Sequence, residues 1–152
     1  MDLFMLSAKL APNKTIILNL SLKNKLTLKS KTIKVLFDTG ATNSGICKSI
    51  LLDCGYRDFV KGSSVKQTAL EDRVFDTCKV EDFKLGNFQP KDFIVDVLPK
   101  DYKGFQGVLG MDYISNLETW ISSSRRELFI TGQFRTFANH VLDLTKSFKD
   151  SN

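Results

Sequence analysis

Hydrophobic and polar residues alternate along the first third of the chain, with the period of a half-buried β-strand. Alternation runs through residues 16–22, where the even positions are apolar, and returns at 26–28 and 31–37. Asn24 and Lys25, between the first two segments, are typical of a turn. The pattern therefore predicts three strands, the last of which ends abruptly at the sequence Asp-Thr-Gly.

β-forming residues also dominate the rest of the chain, interrupted by two short segments with helical spacing. Residues 63–69 and 73–85 are predicted to form the two arms of a hairpin, and 93–98 a strand that ends at a proline. A short apolar strand is predicted at 107–110, and a closing hairpin at 120–131. Short helices are predicted at 47–55, at 112–117 with Asp112 as the cap, and over part of 134–148.

Length and composition agree with one mostly β domain. The chain has 152 residues, of which 42% are hydrophobic, and this suits a single packed domain. We assign residues 1–152 to one domain with its core at about 15–131, flanked by an N-terminal arm, 1–14, and a C-terminal tail, 132–152.

Cysteine and histidine, the residues that usually bind zinc, are scarce. Three cysteines without C-x-x-C spacing argue against a disulfide framework or structural zinc, and the single histidine, His140, excludes a site with two histidines. We expect no metal or other cofactor. No export signal and no membrane-spanning apolar run are visible, so we expect a cytoplasmic protein with no membrane partner.

Positive charge is concentrated at the N-terminal end. Residues 1–37 contain seven lysines and one acid, which is a net charge of +6, in a chain whose total is +5. Such a segment can attract nucleic acid, but it has no arginine and no aromatic residues between the lysines. Lysines on an exposed edge strand also prevent sheets from aggregating. We therefore favour a solvated edge and consider a nucleic-acid partner improbable.

The candidate chemistry lies in Val35-Leu36-Phe37-Asp38-Thr39-Gly40-Ala41. A carboxylate directly after a hydrophobic strand, on a turn that glycine permits, is held rigidly and can accept backbone N–H groups. The same residues also suit a plain turn. A second motif, Val108-Leu109-Gly110, stands 70 positions further on, counted between the glycines, and precedes the predicted short helix.

With both motifs in this order, the sequence resembles the single-domain retropepsin-like aspartic proteases, over roughly residues 15–130. The resemblance implies an all-β fold, a closed β-barrel or sandwich with one short helix after the Val-Leu-Gly strand, active as a two-fold dimer. It implies an aspartic endopeptidase acting on polypeptides. Asp38, Thr39 and Gly40 would be catalytic, and the second aspartate would be Asp38 of another copy, since peptide hydrolysis needs both a base and an acid.

The resemblance also suggests where the substrate would bind. Ala41 and Val108 would border the cleft, and a flap would cover it near residues 66–73. The candidate substrate-binding residues are Ala41, Ala69, Leu70, Glu71, Asp72 and Val108.

The predicted flap lacks the glycine that such flaps usually have near the tip. A catalytically inactive dimerisation or peptide-binding module of the same fold is therefore an alternative. A basic barrel that binds nucleic acid through the N-terminal lysines is a third.

Overall fold

The computed structural model describes residues 5–9, 15–67, 70–122 and 127–131. Within these ranges the chain forms ten strands and two short helices. The strands are β1 (Met5–Lys9), β2 (Ile17–Lys23), β3 (Ser30–Phe37), β4 (Gly45–Cys47), β5 (Phe59–Gln67), β6 (Asp72–Lys79), β7 (Ile94–Leu98), β8 (Gly107–Leu109), β9 (Glu118–Ser122) and β10 (Glu127–Thr131). The helices are α1 (Lys48–Asp53) and α2 (Met111–Ile114). The fold is mostly β, as the alternation predicts.

Seven strands form a mixed sheet in the order β2-β3-β8-β4-β7-β6-β5. Strand β8 is inserted between β3, to which it is parallel, and β4, to which it is antiparallel. Because β3 and β8 are parallel, their carboxyl ends meet at one edge, where Phe37 lies opposite Leu109. The Asp-Thr-Gly and Val-Leu-Gly motifs therefore end side by side, although 70 positions separate their glycines.

The other three strands form a separate antiparallel sheet in the order β1-β10-β9. This arrangement confirms the predicted closing hairpin and adds to it a strand from the N-terminal arm. No strand pairing among the described residues closes the seven-stranded sheet into a barrel, so the closed barrel stays a prediction.

The apolar face of the predicted alternation forms the core. Leu20, Leu22, Ile33 and Val35, on the facing strands β2 and β3, are all at most 1% exposed. Burying a side chain of this size contributes about 1.5–3 kcal/mol relative to leaving it exposed. The hairpin that carries Asp38 is therefore held firmly by its inner face.

The strand predicted at 26–28 is wrong, because these residues form a turn between β2 and β3. The Asn24 side-chain oxygen accepts the backbone N–H groups of Leu26 at 2.9 Å and Thr27 at 3.2 Å. This local hydrogen bonding replaces strand pairing. Leu26 and Leu28 are consequently 70% and 73% exposed.

Two boundaries also differ from the sequence-based expectation. The second arm of the long hairpin, β6, ends at Lys79 rather than at residue 85, and Leu85 instead forms an isolated bridge to Phe88. The helix after Val-Leu-Gly begins at Met111, so Gly110 rather than Asp112 stands at its N-cap. It is the second of two short helices. The predicted helix within 134–148 lies outside the described residues.

Candidate active site

The Asp-Thr-Gly turn leaves the end of β3 as a braced backbone loop. Asp38 N–H donates to the Leu109 carbonyl at 3.0 Å, and Ala41 N–H donates to the Asp38 carbonyl at 3.2 Å. Gly40 N–H donates to Asp38 Oδ1 at 2.9 Å, which fixes the orientation of the carboxylate. Asp38 is half-buried, while Thr39 and Gly40 are exposed. A well-oriented acid is therefore presented at the protein surface.

Gly110 allows the two motifs to come into contact. A Cβ atom at this position would lie 2.7 Å from the backbone carbonyl of Asn43 and 2.9 Å from the Ala41 oxygen, closer than van der Waals contact permits. The next residue, Met111, donates its N–H to the Ala41 carbonyl at 2.8 Å. Glycine is thus required here by close approach of backbone to backbone.

Asp112 stabilises the chain that follows the Asp-Thr-Gly turn by accepting hydrogen bonds. Its carboxylate accepts the Ser44 N–H at 2.9 and 3.1 Å and the Ser44 hydroxyl at 2.7 Å. Ser44 is fully buried, and its hydroxyl oxygen accepts the Gly110 N–H at 2.9 Å. The predicted capping role is wrong, since Asp112 makes no cap hydrogen bond and lies in the first turn of α2. Sequence reasoning missed this brace because its partners are 68 positions apart.

The hairpin of β5 and β6 is the element that the sequence indicated as a flap. β6 pairs with β7 only from Thr77 to Lys79, whereas its pairing with β5 continues to Asp72. The outer part is therefore a two-stranded ribbon, which is marginally stable by itself. A register shift between Val60 and Ser64 marks its base.

Gly62 lies within that irregularity of β5. It has φ of +61°, and its N–H donates to Asp76 Oδ1 on the facing strand at 3.0 Å. Although no glycine occurs near the tip, the hairpin has one at its base. The left-handed conformation there explains why glycine occupies the position.

The predicted substrate-binding residues fall on three elements. Ala41 lies on the catalytic turn, and Val108 lies half-buried in β8, where it pairs with residues of β3 and β4. Leu70, Glu71 and Asp72 are exposed at the hairpin tip, with Leu70 97% exposed. Ala69 lies outside the described residues. The structure thus brings Ala41 and Val108 to the side of Asp38 and leaves the other described candidates on the hairpin.

Two cavities accompany the hairpin. One of about 140 Å³ lies between the hairpin and the end of β7 and is lined by Lys48, Val74, Phe75, Asp76, Val97 and Pro99. A larger one of about 250 Å³ is lined by Tyr56, Cys78 and charged residues at the hairpin base. Neither is lined by residues of the catalytic turn, so cavity volume alone does not identify the site.

A polar cluster between the catalytic loop and the hairpin had no signal in the sequence. Lys66 Nζ on β5 lies 3.3 Å from Asp96 Oδ2 on β7. Asn43, on the loop after the catalytic turn, donates its side-chain amide to Ser64 Oγ at 3.4 Å. The cluster joins the hairpin to the segment that leads away from Asp38.

The three cysteines are free and buried. Burial raises the pKa of each thiol, and for Cys78 it raises the pKa to about 11. Such thiols are weak nucleophiles near neutral pH, because the thiolate is the reactive form. None of the helices in the described ranges has the length and apolarity needed to cross a membrane.

Comparison with known proteins agrees with this geometry. A family model described as aspartyl protease matches residues 25–113, which is more than half of the chain. The curated proteins compared gave no match. Among solved structures, a retropepsin-like aspartic protease from Rickettsia conorii is similar, with a TM-score of 0.63 and 16% sequence identity over 86% of this chain and 92% of that one. The chain therefore belongs to the aspartyl protease family, and its fold is retropepsin-like.

Proposed function

We propose that this protein is an aspartic endopeptidase that cleaves peptide bonds with a water molecule activated by two copies of Asp38 across a homodimer. The observation that carries the proposal is the catalytic turn itself. The Asp38 carboxylate is oriented by the Gly40 N–H, and its neighbours Thr39 and Gly40 are exposed. A second turn can therefore approach this one around a two-fold axis.

The chemistry explains why a second copy is needed. One group must take a proton from the attacking water while another gives a proton to the carbonyl oxygen. The chain contains a single Asp-Thr-Gly sequence. Asp112, which follows the neighbouring motif, has its carboxylate bound to Ser44 and is not available for this role. Asp38 of a second subunit supplies the missing carboxylate.

In the proposed reaction the two carboxylates share one proton. The ionised Asp38 takes a proton from water, whose oxygen attacks the peptide carbonyl carbon, and the protonated partner donates to the carbonyl oxygen. Collapse of the tetrahedral intermediate breaks the C–N bond as the amide nitrogen receives a proton. Ala41, Val108 and residues 69–72 of the flap would contact the extended substrate.

The sheet β1-β10-β9 supports the dimer. Leu128 and Ile130 on β10 are buried against the core. Phe129 lies between them and points to the opposite face, where it contacts Trp120 with ring centroids 6.1 Å apart. Trp120 is 57% exposed. Exposed aromatic residues on a sheet face are typical of protein interfaces, and we propose that this face, with the arm 1–14 and the tail 132–152, contributes to the dimer.

The test is cleavage of a complex peptide mixture between about pH 3 and 7, read by mass spectrometry. We expect Asp38→Asn to lower the cleavage rate by about 10³-fold, within the range for loss of general acid–base catalysis. Asp92→Asn is the matched control. Asp92 is exposed and has φ of +53°, a conformation that asparagine also adopts readily, so this variant should cleave normally.

Equal cleavage by wild type and Asp38→Asn, or none by either at protein concentrations where a dimer is present, would favour the inactive peptide-binding module instead.

The three buried free thiols support a reducing location such as the cytoplasm, which we propose for this protein.

A further inference from the structure

The ion pair of Lys66 and Asp96 is unusual because one partner is almost completely buried. The Asp96 side chain is 3% exposed and that of Lys66 30%, and their charged atoms are 3.3 Å apart. Among the residues that the structure describes, Asp96 Oδ2 has the ion pair but no hydrogen-bond partner. A buried ion pair costs desolvation free energy, and apolar residues of similar volume often serve stability as well or better. Stability alone therefore does not account for charges at these positions.

The pair lies on the side of the hairpin that faces the catalytic loop. Along β5, Val65 is 58% exposed whereas Ser64 is buried. Since residues two apart share one face of a strand, Ser64 and Lys66 both point toward the protein body and Val65 points away from it. Ser64 accepts a hydrogen bond from Asn43. Asp96 N–H donates to the Ser44 carbonyl at 2.8 Å.

These contacts place the pair within reach of a bound peptide. Asn43 is five residues beyond Asp38, at most about 18 Å away along a fully extended chain. An extended peptide rises about 3.3 Å per residue. An extended substrate therefore covers that length within about five residues of the cleaved bond.

Lys66 is the member of the pair that a ligand can contact. The Asp96 side chain is covered, whereas that of Lys66 is 30% exposed, and its ammonium group has three N–H donors, of which the contact with Asp96 uses at most one. The ammonium also lies 5.2 Å from the centroid of the Phe75 ring, which restricts its position. An ammonium group held in this way binds oxygen acceptors.

Resting on the proposed protease function, we propose that Lys66, positioned by Asp96, forms a specificity subsite that selects a substrate side chain with a carboxylate or carboxamide oxygen. Lys66 contacts the substrate, and Asp96 is the positioning residue that holds the ammonium in place and balances its charge when the subsite is empty. Without Asp96, the lysine side chain would extend toward solvent.

The experiment compares cleavage profiles of a peptide mixture for wild type, Lys66→Met/Asp96→Leu and Lys66→Arg. The double substitution replaces both charges together and so leaves no buried charge unpaired. Lys79→Met/Asp92→Asn is the matched control, because it removes an exposed ion pair of 2.8 Å that involves the same hairpin.

We expect wild type to favour Glu, Gln, Asp or Asn at one position near the cleaved bond. At that position the double variant should lose about tenfold in kcat/KM for these side chains relative to Leu, a loss within the range for removing one hydrogen bond. Lys66→Arg and the exposed-pair control should keep the wild-type profile.

Two results would overturn the inference while leaving the proposed function intact. One is Asp38-dependent cleavage by wild type with no such preference at any position. This result does not depend on whether the variants at Lys66 and Asp96 fold. The other is an unchanged profile in the double variant. Absence of Asp38-dependent cleavage would instead remove the proposed function, and this inference with it.

Discussion

The Asp-Thr-Gly turn and the hairpin of β5 and β6, which we propose as the catalytic turn and the flap, are built in opposite ways. The turn is held by a hydrogen bond from the Asp38 N–H to the Leu109 carbonyl of the neighbouring strand. The chain just after it is held by the Asp112 carboxylate, which accepts hydrogen bonds from the N–H and the hydroxyl of buried Ser44. In the strand pairings of the described residues, the outer part of the hairpin (residues 64–67 and 72–75) pairs only β5 with β6, and Val65 and Val74 on its outward face are 58% and 61% exposed. The fold therefore places many hydrogen bonds around Asp38 and buries little of the outer part of the hairpin, which would cover a substrate.

This difference suits a protease. A catalytic carboxylate must keep its orientation, because small displacements of reacting groups lower rates strongly. An element that admits and releases a polypeptide must open at low free-energy cost, which a two-stranded ribbon with few buried contacts permits. Within the described residues, the ion pair of Lys66 and Asp96 is a charged link between the hairpin and the rest of the sheet.

Gly110→Ala is expected to disturb the rigid region most. The added methyl group would lie 2.7 Å from the Asn43 backbone, where no flexible side chain can move aside. We expect a loss of about 3 kcal/mol in the free energy of unfolding, at the upper end of the usual cost of overpacking. Urea denaturation measures the loss. Gly104→Asn is the control for space alone. No atom lies within 4 Å of a Cβ there, and its φ of +92° adds backbone strain that asparagine tolerates better than most side chains, so its loss should be smaller than that of Gly110→Ala. An equal loss in both would refute the close-approach argument.

Asp112→Ala should have the next largest effect. It removes charged hydrogen bonds from the buried Ser44, which we expect to cost about 2 kcal/mol. Asp101→Ala is the matched control, because Asp101 accepts a hydrogen bond from the Ser49 hydroxyl at 2.6 Å in an exposed position, where the cost should be below about 1 kcal/mol. Equal shifts in Tm for the two variants would contradict the assigned brace.

Alkaline pH should weaken the base of the hairpin. Burial raises the pKa of Cys78 from 9.0 to about 11 and that of Tyr56 from 10.0 to about 12. Between pH 9 and about 12 the unfolded chain loses these protons while the folded chain keeps them, so the free energy of unfolding falls as pH rises. Below about pH 8 these two groups should contribute almost no pH dependence, because both are then protonated in the folded and the unfolded chain.

Thermal unfolding followed by circular dichroism at pH 8, 10 and 11 measures this effect. Tyr56 donates its hydroxyl to the Lys23 carbonyl at 2.8 Å. Tyr56→Phe should therefore be less stable at pH 8 but show a shallower decline above pH 10. A decline as steep as in wild type would mean that other groups cause it.

The catalytic turn was predictable from sequence because its residues are adjacent and its chemistry is local. Asp38 follows an alternating strand, and Gly40 follows Asp38, so the acid and its backbone donor lie within three positions. The Val-Leu-Gly motif was recognised for a similar reason. Its position beside β3 is given by the parallel pairing of β3 and β8.

The misplaced features depend on contacts that sequence patterns do not contain. Alternation at 26–28 suits a strand equally well, and only the Asn24 side chain, by taking two N–H groups, decides for a turn. The pairing of Lys66 with Asp96 spans 30 positions and two strands. An aspartate within a β-forming segment such as 93–98 gives no sign of a partner on β5, because β6 lies between β5 and β7 in the sheet.

The most direct test of the account is subunit mixing. Wild type and Asp38→Asn are combined in equal amounts at constant total concentration, allowed to exchange subunits, and assayed on one cleaved peptide. If each active site needs Asp38 from both copies, activity should fall to about one quarter of that of wild type alone, because only that share of randomly formed dimers carries two intact copies. A fall to about one half would show that each chain acts with its own carboxylate and would contradict the shared dyad.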